Sequence, residues 1–234
     1  FYVSTCAGIH AAFPKAYPPD DYWSFIVAAA RIHYAVQALA LVASYIAVLA
    51  ATYLVARSIG AEPWRLLLIP MLPSTTVYMV YNWDAVAAAF FMWGAYLHFK
   101  GRHGLAGALI GLSVAAKLLT AAAGAALALR LLGAGDRRGF AAYASAFMLF
   151  SAAPYAIIYI LAPQGFMEFA SHHASWYCEN CLYMALEPDI WSPAHRILGA
   201  SAVAAASAAI LTATLLKPQA RLQEVLFASA AAPI

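Results

Sequence analysis

From Ile32 to Val55 the chain carries no Asp, Glu, Lys or Arg, and the run closes at Arg57. A helix needs about 20 mainly apolar residues to cross a hydrocarbon core about 30 Å thick. Inside lipid a single segment must pair its own backbone N–H and C=O groups, so a run of this length is a spanning helix. The pattern recurs at Phe140 to Leu161 and at Ile197 to Leu216. Two shorter runs accompany these. Leu66 to Tyr81 is interrupted by Pro70 and Pro73, so it is either a kinked span or a segment that enters only part of the bilayer. Ala85 to Leu97 is uninterrupted and meets Lys100, Arg102 and His103. Residues 1 to 25 are too polar and proline-broken to span, and their aromatics suit a membrane interface.

The expected fold is therefore all-α: a polytopic transmembrane helical bundle with short or re-entrant helices and a non-cytoplasmic loop, forming one transmembrane domain over residues 1–234. Composition agrees. Hydrophobic residues make up 65% and charged residues 10%, against about 25% charged in ordinary soluble domains. Mean hydropathy is +0.75. The net charge of +3 comes from scattered residues and forms no basic block, so nothing points to nucleic acid. The chain opens at Phe1 without a secretory signal and stops inside the apolar run FASAAAPI, so it is expected to be an internal fragment of a longer membrane protein.

The segment LAGALIGLSVAAKLLTAAAGAALALRLL has Lys117 at its middle and basic residues at both ends, Lys100 and Arg102 before it and Arg130, Arg137 and Arg138 after it. Short loops rich in Lys and Arg stay cytoplasmic. If both ends are cytoplasmic, the segment enters and returns as two short helices that turn near Lys117 to Thr120. Such helices are tolerated where protein or a cavity surrounds them. The alternative is one tilted crossing. The same charge bias puts the loops at 57–65, 100–103, 130–138 and 217–221 in the cytoplasm. Residues 1–25, 74–84 and 163–196 then face the other side, and the acidic and polar residues gather there.

Three groups on that side carry possible chemistry, and Lys117 makes a fourth if the segment is a hairpin. Lys117 costs about 2.5 to 3.5 kcal/mol at mid-membrane on the insertion scale. It is either a site residue or the structural partner of a carboxylate such as Asp84. Asp84 follows Asn82 at the head of a span, where capping and the helix dipole alone explain an acid. Asp20 and Asp21 are either solvated loop acids or a pair able to bind a divalent cation or act as general base. The remaining group is the stretch SHHASWYCENCLYMALEPDIWSPAHR at 171–196. Cys178 and Cys181 within it have three possible uses: a disulfide, a zinc site with His172 and His173, or a thiol-redox pair. Arg196 stands at headgroup level, able to snorkel or to grip a phosphate, and His172, His173 and His195 are able to join it on an anion.

The stretch YNWDAVAAAFFMWGAYLHFKGRHGLAGALIGLSVAAKLL, residues 81–119, resembles the core of GT-C membrane glycosyltransferases. The resemblance is strongest to the polyprenyl-phosphate-mannose-dependent mannosyltransferases of glycosyltransferase family 87. Asn82 and Asp84 match that family's N-x-D, Gly101 and Arg102 its basic turn, Ala106, Gly107, Gly111 and Leu112 its small-residue helix, and Lys117 its lysine. The YPP at 17–19 and Glu179–Asn180 match more loosely. Lys117 is followed by Leu-Leu-Thr where the family places a proline. The loop that supplies the family's catalytic aspartate is expected upstream of the YPP segment.

The resemblance implies an integral, multi-pass enzyme that moves a sugar, expected to be mannose, from a polyprenyl or dolichyl phosphate to a lipid or glycan acceptor on the non-cytoplasmic face. Asp20, Asp21, Asp84 and Glu179 are the carboxylates for that chemistry, and Lys117, Arg196, His172 and His173 are the cations for the leaving phosphate. A divalent cation is a possible cofactor. The competing classes are a transporter or channel using Lys117 and Asp84 at the midplane, and a thiol-redox or metal-binding membrane protein resting on Cys178 and Cys181.

Overall fold

A computed structural model describes residues 22–58, 60, 62, 64, 83–174, 186–189 and 191–216. Among them the chain is all-α, with no strand. Helix α1 (Tyr22–Ser58) is followed by α2 (Asp84–Phe99), α3 (His103–Ala116), a 3-10 turn (Leu118–Thr120), α4 (Ala121–Gly133), α5 (Arg137–Leu161), α6 (Pro163–Ala174) and α7 (Pro193–Leu216). Within α1, α5 and α7, the segments Ala30–Ser58, Arg137–Leu161 and Pro193–Thr214 are long and apolar enough to cross a membrane.

The segment around Lys117 is a helical hairpin. Helix α3 ends at Ala116, Lys117 is extended (φ −154°, ψ 113°), and α4 returns along α3. The return is fixed by its contacts. Gly124 of α4 packs beside Ile110 of α3, the two residues being equally far in sequence from Lys117. At the other end His103, which opens α3, lies 3.6 Å from Asp136, which follows α4. The charge argument for two short helices therefore holds against the single crossing.

Both turns at the basic end close in the same way. After α2, Gly101 adopts φ +71°, Arg102 N–H donates to Leu97 O at 2.9 Å and Gly101 N–H to His98 O at 3.0 Å. After α4, Gly135 adopts φ +78°, with Asp136 N–H on Leu131 O and Gly135 N–H on Leu132 O, each at 3.0 Å. This is the Schellman arrangement, and its left-handed position explains a glycine at each place. Asp136 also caps α5, accepting from Gly139 N–H at 2.8 Å.

Because α3 goes in and α4 comes back, α5 leaves the basic end in the same direction as α3, and these two helices share the largest contact of the bundle. Small residues permit it. A side chain at Gly107 would collide with the Tyr143 backbone, and a Cβ at Gly111 would stand 2.6 Å from Phe147 O. Close backbone approach at small residues is how helices pack where lipid removes the hydrophobic drive. The core gathers around that seam: Ala106, Ile110, Leu127, Leu131, Tyr143 and, from α7, Ile210.

Two boundaries differ from the hydropathy reading. Helix α1 already covers Tyr22, ten residues before the expected span. Residues 163–174, expected as part of a loop, form α6. Pro163 at the first helical position is pre-set for a helix, but 12 residues are too few to span, so a membrane ruler passes over it. The run from Leu66 to Tyr81 lies outside the described residues.

Candidate active site

Lys117 Nζ donates to Asp84 Oδ1, so the hairpin tip is joined to the start of α2. The pairing follows from helix polarity. Asp84 is the first residue of α2, where the positive end of the dipole favours an anion, and Lys117 caps the end of the antiparallel α3, where the negative end favours a cation. Both side chains remain nearly half exposed, at 47% and 43%. From the basic turn at Gly101, α2 rises 16 residues and α3 rises 14, about 24 Å and about 21 Å at 1.5 Å per residue. The pair therefore stands at the ends of α2 and α3 remote from that turn.

Hydroxyl groups hold the tip. Ser113, fully buried, donates across to Ala87 O of α2 at 2.8 Å and lies 3.1 Å from Thr120 Oγ1. Thr120 Oγ1 donates to Lys117 O at 3.2 Å, and Lys117 N–H donates to Ser113 O at 2.8 Å. Tyr155 of α5 reaches Ala115 O at 2.8 Å. A helix that stops inside a membrane leaves carbonyls to be satisfied, and these side chains and the turn satisfy two of them. Neither glycine nor proline marks the break. None of Ser113, Thr120 and Tyr155 stands out in the sequence as a site residue, although a serine and a threonine flanking a lysine in the middle of an apolar segment are the trace they leave.

The other expected site residues are placed less closely. Arg196 is exposed in the first turn of α7 and makes no hydrogen bond or ion pair among the described residues. His195 beside it is buried, its Nδ1 3.0 Å from Glu187 O, and its backbone N–H is capped by Ser192 at 3.0 Å. His172 is exposed on α6. His173 belongs to α6, with its side chain outside the described set. Asp20, Asp21, Cys178, Glu179 and Cys181 lie outside the described residues. Among the described residues no group of three metal-ligating side chains comes together.

The family model for glycosyltransferase family 87 matches residues 16–233 of this chain. The chain belongs to glycosyltransferase family 87. No curated protein and no solved structure matches it. Family membership makes it a membrane glycosyltransferase and sets aside the transporter and thiol-redox classes. It also implies a sugar donor and an acceptor. Of the carboxylates and cations expected to serve that transfer, Asp84 and Lys117 are the two that a described contact brings together.

Proposed function

We propose that this family 87 enzyme transfers mannose from a polyprenyl (dolichyl) phosphate donor to a lipid or glycan acceptor, in the GT-C manner, on the non-cytoplasmic side of a multi-pass bundle. The observation that carries this reading is Lys117, presented on a helix break at the end opposite the basic turns and tethered to a carboxylate while still accessible. The acceptor oxygen bonds to the anomeric carbon as the bond from that carbon to the phosphate oxygen breaks, with inversion. The acceptor's proton passes to a carboxylate base, and the polyprenyl phosphate leaves as an anion. A positioned cation at that anion lowers the barrier more than it tightens the ground state.

In this scheme Lys117 receives the leaving phosphate and Asp84 holds the ammonium in place. Arg196, His172 and His173 supply further positive charge from the segment that follows α5. The base comes from Asp20, Asp21 or Glu179, or from the upstream loop, and Asp20 with Asp21 also provides the ligands for a divalent cation. The test is transfer from a radiolabelled lipid-linked mannose by the full-length protein. Removing one such donor typically costs about 100-fold or more in rate, so Lys117→Ala and Arg196→Ala should each fall by that order. Near-normal transfer by Lys117→Ala would end the assignment.

A further inference from the structure

At the end of the bundle opposite the Lys117–Asp84 pair, the parallel course of α3 and α5 leaves their first turns side by side around an open hollow of about 560 Å³. Arg102, His103 and Leu105 line it from α3 and its approach, and Arg138 and Ala142 line it from α5. The side chains of Arg102 and Arg138 are exposed and have no hydrogen-bond or ion-pair partner among the described residues. The one carboxylate in the hollow, Asp136, is engaged by Gly139 N–H and faces His103. Beside the hollow, His103 Nδ1 is buried without a hydrogen-bond partner among the described residues. The same is true of both nitrogens of His98, whose ring lies 5.0 Å from that of His103. Buried polar atoms are normally paired, so a polar occupant nearby is favoured. The first turn of α3 also has no side-chain cap.

The hollow is amphiphilic. Leu105 on its wall is 56% exposed. One and two helical turns further into the bilayer on the same faces stand Leu109 and Leu112 of α3 and Ser145 and Leu149 of α5. A free anion would use only the arginines; a phospholipid would use the arginines for its headgroup and the leucine stripe for an acyl chain.

We propose that this hollow binds the phosphate headgroup of an anionic glycerophospholipid from the leaflet that meets the basic turns. The site is separate from the transfer chemistry and does not depend on it. Two arginines at a membrane surface favour an anionic over a zwitterionic lipid by about 30-fold.

The test uses full-length protein in nanodiscs of phosphatidylcholine with and without phosphatidylglycerol, read by native mass spectrometry and by thermal unfolding. The wild type should retain phosphatidylglycerol selectively and unfold at a higher temperature in its presence. Arg102→Gln with Arg138→Gln should lose both effects while unfolding normally in phosphatidylcholine alone. Leu105→Glu should show the same loss by placing a carboxylate beside the headgroup. Lys100→Gln, a cation on the same turn but outside the hollow, should leave both effects intact. Full retention by the double variant, or an equal loss in Lys100→Gln, would overturn the proposal. A thermal shift reproduced by inorganic phosphate alone in phosphatidylcholine discs would also overturn it, assigning the hollow to a free ion.

Discussion

Lys117 and Asp84 present a question of magnitude that separates structure from chemistry. With each side chain nearly half exposed, the attraction is worth no more than about 1 kcal/mol to folding. Stability alone therefore gives little reason to place a lysine inside an alanine-rich segment. Thermal unfolding of Lys117→Met with Asp84→Leu should match the wild type within a few degrees, since two apolar groups replace two charges, while transfer from the lipid-linked donor should stay abolished. Recovery of transfer in that double variant would reduce the pair to a strut. Their contact was legible because a lysine in an apolar run calls for a carboxylate partner, and Asp84 at the head of α2 was the one in reach. Ser113 was not, because a hydroxyl in a membrane helix usually bonds its own preceding turn, as Ser44, Thr52, Ser151 and Thr214 do. Ser113 instead reaches across to Ala87 O of α2, and nothing in its sequence setting distinguishes it from the others.

At the scale of elements, the hairpin was legible through charge and the seam between α3 and α5 was not. Basic residues on both sides of a segment long enough for one crossing pointed to a return path beside a single tilted crossing, and α3 and α4 take the return path. Which helix the hairpin would pack against depended on the order in which the chain adds spans around it. The glycines of α3 acquire their meaning only once α5 is beside them. Two kinds of substitution separate packing from backbone strain. Gly107→Ala and Gly111→Ala place a methyl group against the α5 backbone, and overpacking of this kind costs about 1 to 3 kcal/mol. Gly101→Ala meets no atom within 4 Å but must hold φ +71°, at a cost of about 1 to 2 kcal/mol. In detergent, the α3 variants should both unfold earlier and lose transfer, because the seam carries the tip. Gly101→Ala should unfold earlier and, below its transition, transfer normally. Equal retention of transfer by Gly107→Ala and Gly101→Ala would show that the seam does not position the tip.

For the whole molecule, the distribution of charge along the bundle axis carries the functional reading further than any single motif. Lys100, Arg102, Arg130, Arg137 and Arg138 lie at or near the turns that close α2 and α4, whereas Asp84 lies at the opposite end of α2, beside the hairpin tip. Asp136 is an exception, drawn to the basic end by its capping of α5. This polarity was readable from sequence because the positive-inside bias acts on short loops one at a time. Helix α6 was not readable, because a hydropathy ruler set to the length of a span passes over an element of 12 residues. The polarity makes a direct prediction about sidedness. In full-length protein with Cys6, Cys178 and Cys181 replaced by serine, single cysteines at Gly135 and Thr120 sit at opposite ends of α4, which spans 13 residues, about 20 Å of rise. In sealed inside-out vesicles an impermeant maleimide should label the Gly135→Cys variant rapidly. It should label Thr120→Cys only after the membrane is opened or from right-side-out vesicles, and donor analogues should then protect that position. Rapid labelling of Thr120→Cys from the cytoplasmic side would place the tip in the wrong compartment for a lipid-linked sugar on the outer face. The Lys117–Asp84 pair would then have no role in transfer there.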